Sequence, residues 1–442
     1  MNNRAKLAAA SALIVLSAVS CIPLRPVQSE QTTVPEVKNA QADEATTIDS
    51  SEDDRALGYP NQRKIVSDSA GRLFVAYRKQ HRVNNALQYH IFVARADADG
   101  RAWQVLNDGK PVEDVGAFTQ RVPALAIGAD DSLHLVWYGA DAQNKGANQR
   151  QIKYTRSSDG GQTWLPWRNI APVDGYSEPQ RLWQEHPEIV VDRGTVYVIW
   201  QGRDGADTRR SQVRMTVSRD GGDTWEPGQT VQRSASGGRS RPVLLVSPDD
   251  GVLHVLAYGE GESRQQIVYT RSTDGGAISS PWSAISSSEN DQRHVSAALD
   301  SRGRVHAAWR EGGKQTRAFI RYSALNTGVW SPAVAVDSAS PHYQFFPSLA
   351  VAADDRVVLT WIETSGLSGF PEEEFRTGLL RWSAARAGSD RWSVASSLGS
   401  EEPVNFVSVS ANAVAGNRVD VVWSQPLGDK RTLLRYRALH LR

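Results

Sequence analysis

Arginine, carboxylate, histidine and tyrosine recur at loop positions along this chain of 442 residues. One set leads into apolar strands: Arg121 in "FTQRVP", Glu185 and His186 in "RLWQEHP", Arg239 and Arg241 in "GRSRP", Arg293 and His294 in "DQRHV", and Tyr343 in "PHYQFFP". A second set follows strands: Asp141, Arg203, Arg310 and Glu363. Guanidinium forks grip carboxylates through paired hydrogen bonds. If the loops converge, the arginines suit an anionic, hydroxyl-rich ligand such as an acidic sugar. Charged loops are also the default of any solvated surface, so this chemistry depends on which elements gather them.

Those elements repeat. Segments ending in an aromatic read "RLFVAY", "SLHLVW", "TVYVIW", "VLHVLAY", "RVHAAW", "RVVLTW" and "RVDVVW", closing on Tyr77, Trp137, Trp200, Tyr258, Trp309, Trp361 and Trp423, with Tyr258 ambiguous by one position. A third strand follows each: "IFVARA", "IKYTRS", "VRMTVS", "IVYTRS", "FIRYSA", "LLRWSA" and "LLRYRA". Alternation has period two, Gly and Asp punctuate the turns, and no long stretch after residue 60 keeps a helical period. A spacing of about 58 residues suits a four-stranded unit. The fold class expected is all-β, a β-propeller with seven blades, six being the alternative. The seventh copy stops after its third strand, so an N-terminal strand near Arg55–Pro60 is expected to complete it.

Between third and fourth strands stands Ser-x-Asp-x-Gly-x-Thr-Trp: Ser157, Asp159, Gly161, Thr163 and Trp164, then Ser218, Asp220, Gly222, Thr224 and Trp225. A decayed copy holds Asp274 and ends at Trp282, and weaker ones end at Trp103, Trp330 and Trp392. The motif resembles the Asp-box, or bacterial neuraminidase repeat, of the sialidase superfamily. Its Asp can accept backbone N–H bonds and its Gly permits positive φ. The motif therefore reads as architecture, and function belongs to the loops at the other end of the strands.

The resemblance implies site roles. Sialidases hold a substrate carboxylate with three arginines, use a Tyr–Glu pair as nucleophile and an Asp as acid/base. "RVPALAI" resembles their Arg-Ile-Pro signature and would make Arg121 the first arginine. Arg203 and Arg310 follow second strands, where the family places the others. Tyr343 would be the nucleophile, Glu185 its partner and Asp141 the acid, while "TWIE" puts Glu363 as the brace of the first arginine. His186, Arg239, Arg241, Arg293 and His294 would line the ligand site. Here Gln120 precedes Arg121 where the family has an aromatic, and Tyr343 lies four residues before Pro347. Three function classes follow: a glycan- or protein-binding propeller, an exo-sialidase-type hydrolase, and an acidic-polysaccharide lyase using His and Tyr. Binding stands ahead because the triad is incomplete, and Tyr343 discriminates, since a hydrolase needs it beside a carboxylate at the channel axis.

Net charge is +1, which argues against nucleic acid as a partner. No phosphate-binding loop, dinucleotide fingerprint or metal-ligand spacing stands out, and no cofactor is expected. Residues 1–21 carry Arg4 and Lys6, an apolar run, and small residues ending in the lone cysteine, Cys21, which reads as an export signal. "AVSC" resembles a bacterial lipobox that would lipidate Cys21, with secretion as the alternative. Residues 22–56 read as a disordered polar tether, and 57–442 as the propeller. The expected product is a monomer held to the cell envelope through lipid alone, with a glycan as its ligand.

Overall fold

The computed structural model describes residues 41–442, apart from 54, 147–148, 171–181, 235–236, 261–263, 273–279, 313–315, 366–376, 400–401, 413 and 428–430. Asp274, Cys21 and the expected leader lie outside the described residues. Seven antiparallel sheets follow one another around a ring. Blade 1 runs Ile65–Ser67, Leu73–Val83, Ala86–Ala96 and Trp103–Val105; blade 2 runs Gln120–Ile127, Leu133–Gly139, Gln151–Ser157 and Arg168–Asn169. Blade 3 comprises Gln184–Asp192, Thr195–Asp204, Asp207–Ser218 and Gln229–Thr230, and blade 4 Arg239–Val246, Leu253–Glu260, Gln265–Ser272 and Ser283–Ala284. Blade 5 is Gln292–Leu299, Val305–Glu311, Phe319–Asn326 and Val334–Ala335; blade 6 is Tyr343–Val351, Arg356–Thr364, Leu379–Arg386 and Ser396–Ser397. Blade 7 has Asn405–Ala411, Arg418–Pro426 and Thr432–His440. The expected all-β propeller is seven-bladed.

The strand that closes blade 7 lies earlier than expected. Thr46–Ser51 pairs antiparallel with Thr432–Tyr436, and Gln41–Ala42 pairs further along with His440. Thr-Thr-Ile suits an edge strand, and Ile48 drops into the core. Arg55–Pro60 takes another course, because Gly58 has φ of 71° and Pro60 has no N–H to donate. The propeller thus begins inside the segment expected to be a tether.

Two repeated positions account for most of the tryptophan. Trp137, Trp200, Trp309 and Trp361 are fully buried in second strands. The indoles of Trp137 and Trp200 donate to Gln120 and Gln184 at 2.9 and 2.5 Å. This explains why Gln, not an aromatic, precedes Arg121. Register settles the ambiguity in blade 4: Ala257 faces Val268 where Trp200 faces Arg214, so Ala257 fills the tryptophan place and Tyr258 follows it.

The other position is the Asp-box. In blade 2 the Ser157 hydroxyl donates to Asp159 at 2.7 Å, the Gly161 N–H to Ser157 at 2.9 Å, and the Thr163 hydroxyl to Asp159 at 2.6 Å. Blade 3 repeats the pattern through Ser218, Asp220, Gly222 and Thr224. Slight burial pushes the Asp159 carboxyl up, but the Thr163 and Ser157 bonds outweigh it and hold the group at about 2. Gly222, at φ 98°, touches the preceding blade: a Cβ there would sit 1.9 Å from the Tyr154 hydroxyl. Box tryptophans meet third-strand tyrosines edge-on, Trp225 on Tyr154, Trp330 on Tyr269, Trp392 on Tyr322 and Trp103 on Tyr436. Three of those tyrosines also bond second-strand histidines: Tyr154 with His134, Tyr269 with His254 and Tyr322 with His306, at 2.8, 2.9 and 2.6 Å.

Candidate functional site

At the end opposite the Asp-boxes, each first strand from blade 2 to blade 7 breaks register, as between Glu185 and Glu188 or Arg293 and Ser296. A β-bulge re-aims one side chain. The bulged residues His186, Arg241, His294, Phe346 and Phe406 have φ of 54, 48, 55, 52 and 46°. Left-handed backbone at bulky residues is costly and persists only where the surroundings enforce it. Four of them surround one ring. Tyr59 meets His186 edge-on at 5.1 Å, stacks near His294 at 6.2 Å and meets Phe406 at 5.8 Å, while the Arg241 guanidinium lies 3.3 Å from its centroid. Gly58 allows this approach, since any Cβ would fall 2.3 Å from Val122. Below Tyr59 the Gln62 amide donates to the Pro187 carbonyl at 2.9 Å, and a channel cavity of about 290 Å³ begins, bordered by Asn61 and Glu188. Burial, reinforced by Arg241, Lys64, Arg121 and Arg150, holds His186 well below its ordinary pKa and hence neutral.

The sequence-derived residues fall into three groups around this plug. Arg121, Glu185 and His186 come together where blades 2 and 3 meet: Glu185 pairs with Arg150 at 2.5 Å and lies 3.8 Å from His186. Burial lowers the Arg121 pKa, partly offset by Tyr138, and Arg150 and Arg78 lower it further. A second group joins blades 3 to 5. Arg203, Arg209, Arg210 and Arg293 line a pocket of about 240 Å³ with Tyr258, Ser240 and Gln265. Arg203 stacks on Trp183 at 4.9 Å, and Tyr258 reaches the central ring through an edge contact with His294 at 6.2 Å. Arg239 and Arg241 are buried beside it.

The third group belongs to the frame. Second strands end in, or in blade 2 run on two residues to, a carboxylate that pairs with a cation of the third strand beside the buried Trp: Asp141 with Lys153, Asp204 with Arg214, Glu311 with Arg321 and Glu363 with Arg381, at 2.5, 2.9, 3.2 and 3.5 Å. Asp141 therefore stands as a strut where the family resemblance would make it an acid. Burial pushes its carboxyl up, yet Lys153 and Asn169 hold it at about 2, far too ionised to deliver a proton near neutrality. Glu363 binds Arg381 and Ser340, so it braces its own blade where the resemblance would have it brace Arg121. Arg310 is 1% exposed, with Phe345 5.9 Å from its guanidinium, too deep for a ligand to reach. Tyr343 and Glu185 are not brought together as a nucleophile pair: Tyr343 stacks on Phe345 at 6.4 Å in blade 6, whereas Glu185 sits in blade 3 on Arg150.

Sequence reasoning missed Tyr59, Arg150, Arg209, Arg210 and Tyr258. The dipeptide Arg209-Arg210 at a hairpin was a readable signal; Tyr59 had none beyond the turn-forming Gly-Tyr-Pro.

A model of the BNR repeat-like domain matches residues 131–361, over half of the chain, and one of a BNR repeat-containing family member matches 24–171. The chain belongs to the BNR repeat-like family. No curated protein matches this BNR chain in sequence. Among solved structures it is similar to a protein of unknown function from Dyadobacter fermentans, at 13% identity and TM-score 0.55, covering 92% of this chain and 100% of that one. The polysaccharide lyase Uly1 resembles it at 11% identity and TM-score 0.55, covering 88% and 91%. An α-L-arabinanase of Penicillium chrysogenum, solved with arabinobiose, does so at 14% and TM-score 0.53, covering 91% and 99%. At such identities the likeness is one of fold.

Proposed function

We propose that this BNR propeller binds an anionic glycan on its bulged face, with the arginine pocket of blades 3 to 5 as the principal contact. The observation that carries the reading is that pocket: Arg203, Arg209, Arg210 and Arg293 gathered around Tyr258. Forked donors of this kind suit carboxylate or sulfate groups, and Tyr258 offers an amphipathic edge. Binding is favoured over hydrolysis because Asp141, Asp204, Glu311 and Glu363 are all spent on cations of their own blades, and Glu185 is spent on Arg150. Glycans are also what several proteins of this fold act on, the lyase and the arabinanase among them.

A lyase is the second reading. Tyr59, His186 and His294 gather at the axis beside Arg241, residue types that can move a proton next to a cation. We further place the protein in the bacterial cell envelope as a monomer, exported by residues 1–21 and held by a lipid on Cys21, or else secreted.

The test is an array of acidic oligosaccharides, together with a fluorogenic sialoside and an assay for unsaturated uronate, on the full chain and on R203A/R209A. Binding of carboxylated or sulfated glycans that falls at least tenfold in the variant, without turnover, supports the reading. Sialic-acid release or unsaturated product replaces it with hydrolase or lyase. Silence throughout from folded protein refutes an acidic glycan ligand.

A further inference from the structure

A second cavity, of about 470 Å³, lies between blades 1 and 2, bordered by His81, His90, Lys110, Asp114, Trp164 and Trp167. It shares no residue with the arginine pocket, and its size falls in the range of roughly 300–1,000 Å³ typical of small-molecule sites. Where blades 2 and 3 carry Gln151 and Gln212 at this register, blade 1 carries His90. That ring is 1% exposed and its Nδ1 lies 2.9 and 3.1 Å from the two Glu113 oxygens. Glu113 also accepts the Ile91 and Val115 N–H groups, so it is fixed on several sides. In the neutral ring Nδ1–H donates to Glu113, which makes Nε2 an acceptor, and that buried atom has no hydrogen-bond partner among the described residues. An unsatisfied buried polar atom costs about 1–3 kcal/mol unless something bonds to it.

The facing wall is aromatic and pre-set. Trp167 donates its indole N–H to Asp114 at 2.9 Å, and the Lys153 ammonium lies 4.8 Å from its ring. Trp164 is tied to the Gly161 carbonyl at 3.1 Å. Two indoles held in place lose little freedom on binding. The wall carries one cation, Lys110, and two carboxylates, Asp114 bonded to Trp167 and Glu113 turned onto His90, whereas the charged groups lining the pocket at the mouth are all arginines.

We propose that this flank cavity is a second saccharide subsite, specific for a neutral sugar residue whose C–H face stacks on Trp167 and Trp164 while one hydroxyl, once the side chains that cover His90 Nε2 move aside, donates to that atom. A chain bound at the mouth would thus be held at two chemically distinct points.

The test is 19F NMR of the full chain labelled with 5-fluorotryptophan, the Trp167 signal being assigned with Trp167→Phe. The probes are neutral arabino-, xylo-, cello-, malto- and galactotriose at up to 20 mM, beside trigalacturonate. The expected result is a saturable shift of the Trp167 signal by at least one neutral trisaccharide, weakened at least tenfold in His90→Gln, with melting temperature as the check on folding. Three results would overturn the proposal: no saturable shift from any neutral probe, a shift from trigalacturonate alone, or a shift indifferent to His90→Gln. A Trp167→Phe chain that fails to fold leaves the His90→Gln comparison as the deciding one, read on the whole set of tryptophan signals.

Discussion

The two ends of the strands follow opposite rules. At one end, Ser157, Asp159 and Thr163 of blade 2 bond to one another as Ser218, Asp220 and Thr224 do in blade 3. At the other, one register position of the first strands holds His186, Arg241, His294, Phe346 and Phe406, all in the same left-handed backbone and with three side-chain chemistries among them. The backbone device repeats at both ends; the side chains repeat in the Asp-box but not at the bulge. A repeated side chain answers a need that every blade has, namely docking on its neighbour. A side chain that changes from blade to blade at a conserved backbone geometry answers something outside the frame. This distinction also sorts the carboxylates, since Asp141 and Glu363 repeat with their partners whereas Glu185 does not.

The largest effect expected on the frame side is at Trp309. It is wholly buried, and truncation to Ala removes a large aromatic and leaves a cavity, a cost of about 3–5 kcal/mol. The urea midpoint should fall accordingly, and Trp361→Ala should match it. If the Trp309→Ala midpoint stays put, the second-strand tryptophans are not the frame. Next comes Gly222→Ala, where the new Cβ meets the Tyr154 hydroxyl and φ is 98°; a loss of about 2–4 kcal/mol is expected. Gly194 also has positive φ but nothing within 4 Å, so Gly194→Ala should cost only about 1 kcal/mol. Equal losses at the two sites would remove the contact between blades from the account.

Much of this frame is legible in sequence because it is written several times. Seven aromatic-ended strands and two full Asp-boxes specify blade number and the place of each turn. The site is legible only as a set of charged loops. Asp141, Glu363 and Arg310 stand at loop positions in sequence, yet they turn inward because a cation of the neighbouring third strand, or Phe345 of the next blade, takes them in. That pairing can be read only once strands are aligned: Trp137, Asp141 and Lys153 against Trp361, Glu363 and Arg381. Tyr59 was not legible at all. It acts once, through contacts with blades far away in sequence, and the closing strand was misplaced for the same reason: Thr46–Ser51 and Arg55–Pro60 both looked free, and only packing assigns one to blade 7 and the other to the axis.

The frame also predicts a response to acid. Burial holds His254 at about 4, against 6.5 for an exposed histidine, and His134 likewise. A folded-state pKa below the unfolded one means the unfolded chain binds more protons between those values. The stabilising contribution is therefore complete above pH 6.5 and is lost as pH falls toward 4, on the order of 2–3 kcal/mol per histidine. The melting temperature should drop through that window, and His254→Gln should flatten part of the slope. A wild-type profile flat from 6.5 to 4 would show these histidines are not held neutral.

The smallest effect on folding is expected at the mouth, and it separates the two ends most sharply. Arg209 and Arg210 are exposed, and Arg293 is half-buried, with its nearest carboxylate oxygen, on Asp291, 3.8 Å away. Reversing charge with R209E/R293E should move the urea midpoint by no more than about 0.5 kcal/mol, because surface charge pairs contribute little. Binding of an acidic oligosaccharide should fall at least tenfold, and its salt dependence should change with it. Wild-type affinity should weaken as salt screens the arginines, whereas the residual affinity of the variant should barely respond. A variant that unfolds would assign these arginines to the frame despite their failure to repeat, and the rule that repetition marks structure would then hold in one direction only.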